Sequence, residues 1–301
     1  MLENILYNTV NNAVPILLCV LGGIFAYKAN VLNISLEGMM MAGAFVSLLT
    51  AGLTNNLPLA YLAAVAASLL LGGIFSFMGV YRKGNIIIIG LAINMLVPAV
   101  AGFVLRVMAV PNIALQWLNV NALKLNIPFI ENVPVLGSVV SGHPPAVYAA
   151  FLLIAVMSVL MYRTRFGVHI RVIGENEDAA VSLGLKTNRY KVAAVLIGSV
   201  CCALAGTNLA LERLAVYTNN MTAGRGFIAI AAIYCGRGAP VPSALYAILF
   251  GLARALSTSF GMGSGSMKIV FEIIPYAVMT IVLTVVSVIK RRKSHTRGAF
   301  V

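Results

Sequence analysis

Eight stretches of this chain are long and apolar enough to cross a bilayer, and their succession constrains the fold more than any other feature. A helix rising 1.5 Å per residue needs about 20 apolar residues to span hydrocarbon about 30 Å thick. Runs of that length fall at 10–27, 33–53, 57–81, 86–107, 144–162, 191–211, 240–258 and 268–289. A ninth, GFIAIAAIYCG at 226–236, is too short unless it extends back through 218–225 or spans only half the bilayer. Apolar residues make up 60% of the 301 and charged residues 10%, against about 25% charged in a soluble domain. A soluble protein of this size could not hide so much apolar area. The chain reads as one all-α polytopic membrane domain over 1–301, with about nine transmembrane helices (eight to ten).

A net charge of +13 raises nucleic acid as a partner, but that would require basic residues interleaved with aromatics on a solvated face. Here they sit at the ends of apolar runs, the pattern that controls topology. With the N-terminus outside and the C-terminus in the cytoplasm, fifteen fall on the cytoplasmic side: Lys28, Arg82, Lys83, Arg163, Arg165, Arg171, Lys186, Arg189, Lys191, Arg237, Lys290, Arg291, Arg292, Lys293 and Arg297. Arg106, Lys124, Arg213, Arg225, Arg254 and Lys268 remain outside or near outer ends. This orientation makes 108–142 an extracellular loop, 163–190 a cytoplasmic loop and 290–301 a basic cytoplasmic tail. The leader MLENILYNTVNNA has no Lys or Arg, so the first run reads as a retained span, not a signal peptide.

No catalytic motif is present. The chain has no GxxxxGK[ST] loop for ATP, no HExxH and no GxSxG, and its histidines, His143, His169 and His295, lie in loops. GMGSG at 261–265 reads as a turn. Cys19, Cys201, Cys202 and Cys235 lie in apolar runs without metal-ligand spacing, which predicts inert buried thiols and neither metal nor cofactor.

Ionisable groups inside a bilayer are costly and usually functional. Glu37, Glu212, Glu272, Arg106 and Arg254 each lie within a turn or two of an expected span end, where snorkelling to the interface is open to them; no carboxylate of the proton-relay kind stands out. In NISLEGMMMAGAF (33–45), Asn33 or Ser35 is expected to cap a helix whose N-terminal dipole Glu37 offsets. Asn94, four residues before Pro98, is either an interhelical hydrogen bond or a polar contact along a permeation path. Asn33, Glu37, Asn94 and Glu272 are therefore the candidates for a translocation pathway. Glycines at 22–23, 43, 72–73, 198 and 206 predict close helix packing. LEGMMMAGAFVSLLTAG (36–52) and GRGFIAIAAIYCGRGAP (224–240) share glycines around an alanine-rich core and run in opposite directions, as an inverted repeat requires.

The loop 163–190 holds the densest acidic cluster in the chain. ENEDAAVSL (175–183) reads as a short helix: Glu175, Asn176, Glu177 and Asp178 in its first turn, Ala179 and Ala180 following, and Gly184 at C′. It would be about 13 Å long. Anionic headgroups would repel its acidic end, so it suits docking of a cytoplasmic protein.

Together NISLEGMMMAGAF, TRFGVHIRVIGENEDAAVSLGL (164–185), MTAGRGFIAIAAIYCGRG (221–238) and IIPYAV (273–278) resemble the permease subunits of bacterial ABC importers. The resemblance covers roughly 10–290 and is to the branch handling branched-chain amino acids, simple sugars and nucleosides. Leu36-Glu37-Gly38-Met39-Met40 and Gly224-Arg225-Gly226-Phe227 look most like its nucleoside and simple-sugar members. It implies a vitamin B12 importer-like (type II) fold in the bacterial inner membrane, surrounded by lipid. It also implies an ABC ATPase subunit, a second permease subunit (a paralogue or a second copy) and an extracellular substrate-binding lipoprotein docking on 108–142 and 212–225. The coupling helix of such permeases matches Glu175–Leu183, with Gly174 and Gly184 as hinges. Two other classes fit the residues alone: an ion-coupled secondary transporter acting by itself, and a membrane scaffold, which the polar residues and glycines within spans disfavour.

Overall fold

The computed structural model describes residues 2–125, 141–261, 271 and 273–298. Among these, seven helices are long and apolar enough to cross a membrane, and two shorter apolar helices accompany them. The chain runs α1 (Leu2–Lys28), α2 (Leu36–Thr54), α3 (Leu57–Ser76), α4 (Ile86–Val107), α5 (Pro145–Arg163), α6 (Arg165–Glu175), α7 (Glu177–Ser182), α8 (Thr187–Thr207), α9 (Arg225–Cys235), α10 (Pro240–Gly261) and α11 (Ile274–Gly298). Wider π-type turns, Phe77–Tyr81 and Asn208–Leu214, extend α3 and α8. Seven of the eight expected spans appear, their boundaries moved most at the first span's start; of the eighth, the part from Ile274 onward forms one of the shorter apolar helices, and 268–270 and 272 lie outside the described residues. The short ninth run takes the half-span form, and the basic stretch from Lys290 continues α11 as far as Gly298.

Asparagine side chains start many of the helices. Asn56 accepts from Leu59 N at the head of α3, and Asn85 accepts from Ile87 N and Ile88 N at the head of α4. Uncharged caps satisfy otherwise orphaned backbone donors without bringing a charge to the membrane.

The helix α1 is the hub. Its apolar window is 94% buried, against 22% for α4 and α5. Such an all-round apolar helix belongs inside a bundle, and α1 is enclosed by α5, α8, α9 and α10. Close approach needs small residues: a Cβ on Gly22 would sit 2.6 Å from Cys201 Cβ, and one on Gly206 would sit 2.1 Å from Met40 O. Gly73 meets nothing within 4 Å, so not every glycine in the spans serves packing. Ile88, Met95, Phe103, Leu152 and Val159 face outward, as surfaces toward hydrocarbon should.

The packing repeats with inversion. As α1 packs on α9 and α10, so α8 packs on α2 and α3, and α1 and α8 pack on each other. Correspondingly, α2 runs from beside Asn94, part-way along α4, to Ile113 and Leu115 at one end of the bundle, whereas α9 runs from Glu37 to Tyr27 and Lys28 at the other. We call these the upper and lower ends. At the upper end β1 (Ile113–Ala114) pairs antiparallel with β2 (Val216–Tyr217), tying the two halves together. Of 212–225, only Leu214 and Thr218–Asn220 are exposed; the rest turns inward to the start of α9.

Candidate functional site

Two constructions stand out: an elbow at the lower end and a node of capped helix ends at mid-depth. In the elbow, Thr164 starts α6 by accepting from Gly167 N at 3.2 Å. Asn176 then breaks the helix with extended backbone (φ −152°), and its Oδ1 accepts from Ala179 N at 3.0 Å to start α7. A short polar side chain competes in this way for backbone donors. The acidic helix expected over 175–183 is therefore six residues long, and Glu175 is the last residue of α6. Glu177 and Asp178 do fill the first turn of α7. Gly184 (φ +78°) closes it: Gly184 N donates to Val181 O at 2.8 Å and Leu185 N to Ala180 O at 3.1 Å, the Schellman arrangement. Gly174 lies inside α6, where a Cβ would come within 1.8 Å of Lys28 O. The missing side chain there seats α6 on the end of α1, and the break in direction falls at Asn176.

Glu175, Asn176, Glu177, Asp178, Ala179 and Gly184 are exposed and Ala180 is buried. Val181 and Leu183 add an apolar knob, 55% and 74% exposed. A cleft of about 590 Å³, lined in part by Val80, Lys83, Ile86, Asp178 and Val181, separates α7 from the ends of α3 and α4. Beside it an ion pair joins α7 to α8: Lys191 Nζ donates to Glu177 Oε2 at 2.6 Å. That hydrogen bond holds the Glu177 carboxyl below the ordinary carboxylate range, with Thr187 and Lys83 adding to the effect and partial burial opposing it. Because the folded-state value is lowered, the pair's contribution is full above about pH 4.3 and disappears as pH falls through the lowered value. We expect the spacing between spin labels on α7 and α8 to be constant from pH 8 to 5 and to broaden only in acid. Glu177→Gln should broaden it at every pH; the partly exposed pair contributes no more than about 1 kcal/mol.

At mid-depth, Asn94 of α4 caps α2 from outside. Its Oδ1 accepts from Gly38 N at 2.7 Å and its Nδ2 donates to Ile34 O at 2.9 Å. Asn94 lies eight residues into α4, about 12 Å above its lower end. Ser35 makes no side-chain cap to α2; its N and Oγ donate to Asn33 Oδ1 at 3.0 and 2.6 Å, folding the approach to the helix. Glu37 caps a different helix from the one it starts. Its Oε1 accepts from Gly224 N at 2.9 Å and its Oε2 from Gly226 N at 2.6 Å, so its charge meets the positive end of α9.

The snorkelling expectation fails for two carboxylates. Glu37 is buried, and so is Glu212, which accepts from Tyr61 OH at 2.5 Å and Asn208 Nδ2 at 2.8 Å. Each finds donors inside the bundle, so reaching the interface brings no gain. Arg254 is half-buried and donates to Ala223 O at 3.3 Å, whereas Arg106 is exposed. Glu272 lies outside the described residues. The structure thus brings Asn33, Glu37 and Asn94 together around the two half-depth helix starts. Elsewhere it joins Glu212 to Asn208, four residues before it, and to Tyr61, a partner that no local spacing announces because it lies 151 residues away. The four cysteines are buried and free.

The comparisons agree with this architecture. A nucleoside ABC transporter permease protein, NupC of Lactococcus lactis, is 29% identical over 94% of this chain and 92% of its own length. The guanosine ABC transporter permease protein NupQ of Bacillus subtilis is 30% identical over 90% and 85%. A glucose ABC transporter permease protein, TsgB13 of Haloferax volcanii, is 26% identical over 86% and 71%. Among solved structures, an inward-facing metal-chelate type ABC transporter superposes with a TM-score of 0.55 at 14% identity, covering 94% of this chain and 85% of that one, which shows the shared type II fold. The profile of one permease family matches residues 5–283. Helix inventory, inverted packing and this match lead to one conclusion: the chain belongs to the branched-chain amino acid transport system/permease component family.

Proposed function

We propose that this permease carries a nucleoside across the bacterial inner membrane, with its lower end in the cytoplasm. Permeases of this family work with an ATPase and a permease partner, and the chain is a transport component, not an enzyme. The observation that carries the nucleoside reading is the similarity to nucleoside and guanosine permeases along nearly the whole chain. Orientation rests on the basic residues collected at the lower end. There the exposed face of α7 meets the ATPase, and the seat of α6 on α1 passes its movement to the hub. A substrate-binding lipoprotein delivers the nucleoside to the exposed upper loops.

The glucose permease relative makes a sugar the second reading. Uptake by the assembled complex in proteoliposomes separates the readings: ATP-dependent accumulation of radiolabelled nucleoside, with glucose left outside, is expected. Glucose accumulation without nucleoside would replace the substrate. Uptake by this chain alone on a proton or sodium gradient would replace the mechanism with ion coupling.

A further inference from the structure

A polar cavity of about 350 Å³ lies beside the start of α9, lined by Asn220, Gly224, Arg254, Ser257, Thr258 and Tyr276 among others. Arg254 is fourteen residues into α10, about 21 Å above its lower end, so the cavity sits within the bilayer's thickness. Asn220, Thr258 and Tyr276 are exposed. A polar opening at this depth cannot face hydrocarbon without large cost, and therefore faces an aqueous path or a neighbouring subunit.

The cavity is shaped by a strained turn. Ala223 (φ +43°) adopts left-handed backbone that its Cβ disfavours, between Asn220 (φ +59°), a residue type that tolerates it, and Gly224 (φ +72°). Such strain persists where surrounding contacts hold it and collects at ligand sites. Here the contacts are the cavity's own side chains: Tyr276 OH donates to Ala223 O at 2.9 Å and Arg254 Nη1 to the same oxygen at 3.3 Å. A Cβ on Gly224 would come within 2.8 Å of Tyr276 OH. One carbonyl thus sets the directions of an aromatic ring and a guanidinium fork. Ser257 donates its proton to Phe271 O and Thr258 to Arg254 O or Ala255 O, so each hydroxyl has acceptor capacity left toward the cavity.

We infer that this cavity is the permease's own nucleoside subsite and that it recognises an oxo-purine base. The inference rests on the nucleoside reading above and specifies where and how the base is held. The Tyr276 ring, tethered by its hydroxyl, stacks on the base. The donors of Arg254 other than the one on Ala223 meet the two acceptors that a 6-oxopurine presents on one edge, a pairing an adenine edge cannot offer. The volume lies at the small-ligand end of binding cavities.

The test measures uptake of labelled guanosine and adenosine by the complete transporter in proteoliposomes, with monodispersity and thermal unfolding of each variant as controls for folding. Arg254→Gln is expected to reduce guanosine uptake about tenfold or more relative to adenosine. Tyr276→Leu should reduce both nucleosides, Tyr276→Phe should restore most of the loss, and Arg106→Gln at the exposed end of α4 should change neither. An equal loss of guanosine and adenosine in Arg254→Gln, or unchanged uptake in Tyr276→Leu, overturns the subsite while leaving nucleoside transport standing. If the wild-type complex takes up no nucleoside, both readings fall.

Discussion

Replacing Glu37 by Ala is expected to cut uptake sharply while leaving the chain inserted in the membrane. The substitution removes the acceptor for Gly224 N and Gly226 N, and Gly226 is buried within the bundle. Each buried N–H left unpaired costs about 1–3 kcal/mol. The lost interaction of a carboxylate with a helix N-terminus adds up to about 2 kcal/mol. Against a total stability of about 5–15 kcal/mol, this would loosen the start of α9 without unfolding the other helices. Hydrogen exchange at the amides of 224–228 should rise sharply, together with a fall in uptake of about tenfold or more. Glu37→Gln, which keeps one acceptor oxygen, should fall between. Unchanged exchange in Glu37→Ala would show that another group caps α9.

The second large effect is expected at the elbow. Leu183 is 74% exposed and Val181 55%, so an aspartate at either position costs the isolated permease almost nothing. If this knob enters the ATPase, however, Val181→Asp/Leu183→Asp buries two charges in the interface, where well-seated contacts are each worth about 2 kcal/mol or more. Copurification of the ATPase should weaken strongly, and remaining ATP hydrolysis should lose its dependence on substrate delivery. Charge reversal at Glu177 and Asp178 tests docking less cleanly. Glu177 is bound to Lys191, so reversing it unseats α7 as well as changing its surface. Normal coupled transport in the double aspartate variant would remove the docking role from this face.

Much of the elbow was legible in local chemistry. Acidic residues, alanines and Gly184 marked a short helix, and Asn176 shifted its start because a cap competes with helix continuation over single residues. The helix starts at mid-depth were harder to read. Glu37 lies in a segment that looks like an ordinary dipole partner for its own helix, yet its acceptors serve Gly224 and Gly226, 187 and 189 residues on. Asn94 was visible as a central polar residue, and the interhelical reading of it is the one the geometry supplies.

The sequence by itself determined that the chain is a bundle of apolar helices, where most of them begin and end, and which of their ends carry positive charge. Run length, cap residues and charge are local properties, and water and lipid respond to them directly. Only the tertiary structure decided that α1 is enclosed while α4 and α5 form the rim, and that α9 begins inside the bundle on the Glu37 carboxylate. Hydrocarbon is as apolar as a protein core, so hydropathy scores a lipid-facing helix and a buried one alike. What separates them is the partners that small residues and paired polar groups admit, and those come from parts of the chain far apart in sequence.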